Sequence, residues 1–161
     1  VNTLLTNDLA CALINRNLVK ELTEYSVIKR EVVFGDSRLD FLLSDGKNCY
    51  MEVKNVTLKR GSTAEFPDAV TTRGRRHPHA LIRARREGNG ASMLYIIQRS
   101  DCDCFGPAVS IDPEYSNALE TAMERGVSVF ACRMSIVPEG IYFLNRLPLC
   151  DWVKKTKKAT S

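Results

Sequence analysis

In the stretch "CYMEVKNV", residues 49–56, Glu52 and Lys54 stand one position apart within an otherwise strand-like run. Strand side chains alternate between faces, so the two project together, roughly 7 Å apart at Cα, with Tyr50 and Val56 on the same side. An ammonium group buried in a sheet is costly unless nearby charge offsets it. In the preceding stretch "SRLDFLL", Arg38 and Asp40 likewise share a face. The Asp45–Gly46 pair between the two stretches is a strong hairpin signal, and the hairpin brings Asp40 toward Glu52. Two carboxylates and one ammonium then meet at mid-sheet. Carboxylates held that close repel unless a cation neutralises them. Mg2+ or Mn2+ suits the set, because a hard ion accepts one or two protein carboxylates, keeps its waters and takes a phosphate oxygen. That is phosphodiester-cleaving chemistry: the ion activates water and screens charge on phosphorus, while Lys54 orients the water or stabilises the transition state.

The spacing alone is weak, since about one (D/E)xK is expected by chance in a chain of this composition. Asp45 and Lys47 form a second match, but on a glycine turn that points their side chains to water. The competing reading of Glu52 and Lys54 is an exposed cross-strand ion pair worth at most about 1 kcal/mol. Two more acids are candidates. Glu31 lies on the strand before Asp40, and whether it faces Asp40 depends on a hairpin register that sequence leaves open. Asp68, in "FPDAV", is either a helix cap or a further metal oxygen.

The elements that must position these groups follow from periodicity. "TNDLACALINRNLVKEL" has helical spacing through Leu22. "YSVIKREVVF", "RLDFLL" and "CYMEVKNVTL" read as a three-stranded meander, followed by a loop, "KRGSTAEFPD". A helix is expected from Ala69 to about Glu87, with Pro78 either kinking it or opening a shorter helix capped by His77. "ASMLYIIQR" and "VSVFACRM" read as buried strands. "SDCDCFGPAVSID" is irregular. "PEYSNALETAMERG" is a helix with Asp112 as N-cap, and "GIYFLNRL" an edge strand. The order α, β, β, β, α, β, α, β predicts an α/β fold, a mixed central sheet flanked by helices. Residues 1–150 form one domain and 151–161 a basic, flexible tail.

The chain has 161 residues and a net charge of +4, which by itself names no partner. The distribution says more: Arg73 to Arg86 holds six arginines and two histidines with no acid, and "KKTKK" follows near the end. On the 69–87 helix, Val70, Gly74, His77, Leu81 and Ala84 make one stripe, and Thr72, Arg76, His79, Arg83 and Arg86 the opposite one. With Arg38 and Arg73, the second stripe reads as a phosphate-gripping face, and its bland alternative is a solvated surface. No apolar run approaches the roughly 20 residues of a membrane span, and the opening residues lack the features of a signal peptide. The six cysteines read as buried free thiols, as in a reducing cytosol, and Cys102–Cys104 as a poor metal motif.

The strings "NTLLTN", "SRLDFLL", "CYMEVKNVTL", "FPDAVTTRGRRH" and "IDPEY" together resemble the SfsA family of sugar fermentation stimulation proteins, from Asn2 to about Phe143. The resemblance implies a PD-(D/E)xK nuclease-like, restriction-endonuclease-like αβββαβ core with Asp40, Glu52 and Lys54 as signature residues. It also implies DNA binding, a regulatory link to sugar metabolism, and a preceding OB-like domain that would end before this chain starts. Many nucleases of that superfamily carry a catalytic Glu on the first helix. Here that helix offers only Asp8, with Glu21 at its end, which leaves Glu31 as the alternative. The expected function is a cytoplasmic Mg2+- or Mn2+-dependent nuclease acting on DNA, with RNA left open. The alternative is a non-catalytic, sequence-nonspecific DNA-binding regulator. The last strand, near Ile141, is an edge through which two copies could pair.

Overall fold

The computed structural model of the chain describes residues 3–150, leaving aside the side chains of Thr3, Leu4, Ile28 and Ile136. The lysine-rich tail lies outside the described residues. In chain order the elements are α1 (Thr3–Asn15), β1 (Ser26–Phe34), β2 (Ser37–Ser44), β3 (Asn48–Val56), β4 (Leu58–Arg60), β5 (Thr63–Phe66), α2 (Arg76–Arg86), β6 (Gly90–Ile97), β7 (Cys104–Pro107), α3 (Pro113–Glu124), β8 (Ser128–Val137) and β9 (Gly140–Arg146).

The larger sheet has six strands in the order β1-β2-β3-β6-β8-β9. β1, β2 and β3 form the expected antiparallel meander, and the β2–β3 turn closes at Gly46, whose φ of 107° favours glycine. β6 lies parallel between β3 and β8. It reads as a continuous apolar run because helices cover both of its faces. On one face Leu81 and Ala84 of α2 and Leu119 of α3 pack on Met93, Tyr95 and Ile97. On the other, Leu13 and Ile14 of α1 pack on Phe41, Met51 and Leu94. The mixed, helix-flanked α/β sheet is thus the architecture the sequence implied.

Four local expectations need correction. α1 stops at Asn15 instead of running through Leu22: Asn17 takes a left-handed φ of 58°, and the Leu18 N–H closes back on the Leu13 carbonyl at 3.0 Å. Lys20–Leu22 is a separate 3-10 turn. The stretches read as loop and as irregular hold a second sheet of three strands, ordered β4-β5-β7. α2 begins at Arg76, not Ala69, so Pro78 falls in its first turn, where its missing N–H leaves no bond unmade. Finally, Cys104 and Cys150 form a disulfide, while Cys11, Cys49, Cys102 and Cys132 are free. Leu149 bridges to Phe105, and the Cys150 N–H donates to the Phe105 carbonyl at 2.8 Å, so the bond pins the end of the described chain to the small sheet. Cysteine usage therefore no longer argues for a reducing compartment.

Candidate functional site

β2 and β3 pair only as far as Phe41↔Met51, whereas β3 stays in register with β6 to Val56↔Ile97. Beyond Met51, the Val53 N–H donates to the Asp40 Oδ2 at 2.8 Å, a side chain standing where the ladder would continue. Asp40 and Glu52 therefore sit in a fork of the sheet. From α1, the buried Asn7 donates through Nδ2 to Asp40 Oδ1 at 3.2 Å.

Glu52 is only 4% exposed. Its Oε1 lies 3.8 Å from Lys54 Nζ and 3.7 Å from His77 Nδ1, while Lys54 Nζ and His77 Nδ1 are 2.8 Å apart. Its Oε2 is buried with no hydrogen-bond partner. Burial above all, then the hydrogen bond and charge of Asp40, push the Glu52 carboxyl far above the ordinary carboxylate range, against the pull of Lys54. Burial likewise lowers the Lys54 amine, against the support of Glu52 and Asp40. His77 falls to about 4, through burial and then the charges of Lys54 and Arg73, opposed by Asp40. The cluster therefore resists carrying two bare carboxylates without another cation.

These groups line a cavity of about 520 Å³. Glu31 lines it too, which answers the question of register: it sits between the pairs Arg30↔Phe41 and Val32↔Leu39, opposite Asp40, with a left-handed φ of 54°. A non-glycine residue in that conformation costs on the order of 1 kcal/mol or more, and such residues cluster at functional sites. Arg38 and Arg73 also line the cavity. His77 is delivered by the first turn of α2, and Arg73 by the turn ahead of that helix. There the Thr71 N–H donates to Asp112 Oδ2 at 2.9 Å and the Gly74 N–H to Thr71 Oγ1 at 2.8 Å. Arg75 pairs with Glu114 in the first turn of α3. A Cβ at Gly74 would stand 2.7 Å from the Thr71 side chain, so the tight turn requires glycine.

The remaining sequence candidates lie elsewhere. Asp68 is exposed and lines a separate cavity of about 180 Å³ with Glu65 and Thr57. It does not cap α2, which starts eight residues later. Thr72, Arg76, His79 and Arg83 are exposed and do not line the cavity around Asp40 and Glu52. Arg83 lies over the Phe34 ring at 5.5 Å and is 4.0 Å from Glu87. Asp8 pairs with Arg30 and Glu21 with Arg146, both at the surface. Sequence reasoning missed Asn7, Asn55 and His77 as cavity residues. For His77 a signal existed: it belongs to the buried stripe of the helix, which faces the sheet and hence Lys54.

The donor set fits a hard divalent ion, with two carboxylates side by side and one oxygen buried and unpaired. Among the described residues no three His, Cys, Asp or Glu side chains gather as a metal cluster. Two carboxylates suffice for Mg2+, which fills its other positions with water and phosphate oxygens.

Comparison with known proteins points one way. The family described as "Sugar fermentation stimulation protein RE domain" matches residues 4–140. A sugar fermentation stimulation protein homolog of Gloeobacter violaceus is 44% identical over 147 residues, 89% of this chain and 62% of that protein. One from Pelobacter propionicus is 44% identical over 151 residues, 92% of this chain and 66% of that protein. The chain thus spans a little under two thirds of the length of these curated relatives. Among solved structures, Pyrococcus furiosus SfsA in complex with Ca2+ superposes with a TM-score of 0.88 at 30% identity, covering 93% of this chain and 66% of that one.

Proposed function

The chain belongs to the sugar fermentation stimulation protein family, and on that premise we propose that it binds DNA and hydrolyses phosphodiester bonds with the help of Mg2+ or Mn2+. The observation that carries this reading is the buried, unpartnered Oε2 of Glu52, a residue that lines one cavity together with Asp40 and Lys54. Asp40 and Glu52 would hold the ion, and the Ca2+ complex of the Pyrococcus furiosus relative supports a hard-cation site in this fold. When bound, the ion would supply Lewis-acid activation of water and screen charge on phosphorus. Asn7 and the Val53 N–H fix the Asp40 carboxylate so that its oxygens are presented to the fork. Lys54 supplies N–H donors to a phosphate oxygen or an attacking water. Arg38 and Arg73 at the cavity wall, and Arg76, His79 and Arg83 on the outer face of α2, attract the phosphate backbone.

The test is incubation of the protein with plasmid and single-stranded DNA in Mn2+. Cleavage should disappear in Asp40→Ala and Glu52→Ala, and cleavage that survives both changes would refute the assignment. One observation favours the non-catalytic alternative: α1 brings Asn7, not an acid, to Asp40. That reading predicts metal-independent binding that weakens steeply with salt. Cytoplasmic placement stands as part of the same proposal. The structure contributes only that no helix among the described residues is long and apolar enough to cross a membrane.

A further inference from the structure

We propose that His77 is the positioning residue for Lys54: its Nδ1 takes one ammonium N–H and so sets the direction of the other two. The inference rests on reading the cavity as a phosphodiester site, but its geometry stands without it.

Opposite charge would make Glu52 the natural anchor for the amine. At 3.8 Å the Glu52 Oε1 is too far from Lys54 Nζ for a direct hydrogen bond, whereas His77 Nδ1 is within one at 2.8 Å. The histidine holds the amine and the carboxylate does not. With Lys54 as an ammonium, which has three donors and no acceptor, Nδ1 carries the lone pair and the ring proton sits on Nε2. Lysine ends a flexible stem with about 2 kcal/mol of rotamer entropy. The Phe66 ring, 6.0 Å from Nζ, contributes an attractive face but little direction. A directional bond is therefore what aims this side chain.

The anchor is itself rigid. His77 lies in the first turn of α2, its side chain only 18% exposed. The preceding turn is tied to Asp112 through the Thr71 N–H. His77 is also 3.7 Å from Glu52 Oε1, so it stands over the same fork of the sheet. Its place is where a residue acting through Lys54 should be.

The test uses the position of the acceptor. In His77→Asn the amide oxygen replaces Nδ1 at nearly the same place, in His77→Gln it lies where Nε2 was, and His77→Ala removes it. The first readout is the side-chain ¹⁵N signal of the Lys54 ammonium, identified by its loss in Lys54→Arg and recorded with Mg2+ present. A hydrogen-bonded ammonium exchanges slowly enough to be seen. The signal should be present in the wild type and in His77→Asn, and absent in His77→Gln and His77→Ala. The second readout is Mn2+-dependent cleavage. The turnover number should fall about 10- to 100-fold in the Gln and Ala variants and recover to within about threefold of wild type in Asn, with KM little changed. Mg2+ affinity by calorimetry should stay level throughout.

A signal missing from the wild type, or one that survives in His77→Ala, overturns the proposal, as does an Asn variant no better than Ala. If the wild type cleaves no DNA, the nuclease reading fails while the ammonium signal still decides the His77–Lys54 contact. If the Gln and Ala variants do not fold, the signal in His77→Asn decides alone.

Discussion

His77 and Arg83 lie on the same helix and meet opposite surroundings. The His77 side chain is 18% exposed and bonded to Lys54, whereas that of Arg83 is 49% exposed, lying over Phe34 with Glu87 at 4.0 Å. The first belongs to a buried set in which named neighbours place the polar groups and only the Oε2 of Glu52 is left without a hydrogen-bond partner. The second belongs to a basic face whose members attract anions by their sum. Removing one atom from the buried set leaves a partner stranded in low dielectric. Removing one arginine from the outer face leaves the field nearly as it was. The two faces of α2 should therefore fail in different ways.

The largest separation is expected in metal dependence. Asp40→Ala or Glu52→Ala should lower Mn2+-dependent cleavage by at least about 10²-fold, and calorimetry should show Mn2+ binding lost. The double charge reversal Arg76→Glu, Arg83→Glu should leave Mn2+ affinity unchanged. If the reversal weakened Mn2+ binding as much as the carboxylate changes do, the two faces would be one site and the distinction would be wrong.

Next in size is the support behind the buried face. Asp112 is 2% exposed and accepts from the Thr71 N–H and, as N-cap of α3, from the Tyr115 N–H at 3.0 Å. Asp112→Ala orphans both and should cost about 3 kcal/mol in denaturant unfolding. A change under about 0.5 kcal/mol would show that the turn carrying Arg73 holds itself.

A third effect is pH-dependent. The folded His77 titrates near 4, below the ordinary 6.5. Between those values the unfolded chain binds a proton that the folded chain refuses. The contribution of His77 is therefore present above about pH 6.5 and lost as pH falls toward 4. Relative to His77→Asn, the wild type should lose about 2 kcal/mol across that window, allowing for the partial exposure of the ring. Parallel stability curves would place the histidine in contact with solvent instead of in the cluster.

The smallest expected effect on stability belongs to the outer face. Arg76→Glu with Arg83→Glu should shift unfolding free energy by no more than about 0.5 kcal/mol. Yet it should reduce the salt dependence of DNA binding by about two units of log–log slope. An unchanged slope would remove the outer face from the binding path.

Much of this was legible in the sequence because it follows from local period. Alternation put Glu52 and Lys54 on one face, the Asp45–Gly46 turn brought Asp40 to them, and the apolar run of β6 announced a covered strand. What stayed hidden depends on contacts distant along the chain. The start of α2 is set by Asp112, 41 residues from its partner Thr71, and the disulfide joins cysteines 46 residues apart. The strands of the small sheet are three or four residues long, too short to show a period. Glu31 enters the cavity through a left-handed backbone that no residue type there demands. Asp68 misled because an acid ahead of a helical pattern is usually a cap, and here the helix begins later.

The central claim is that the fork between β2 and β3 seats a divalent cation, and crystals soaked in Mn2+ test it most directly. Anomalous scattering should show one peak in contact with both the Asp40 carboxylate and the Oε2 of Glu52. No peak there, or a peak only in the cavity that holds Asp68, would contradict the claim.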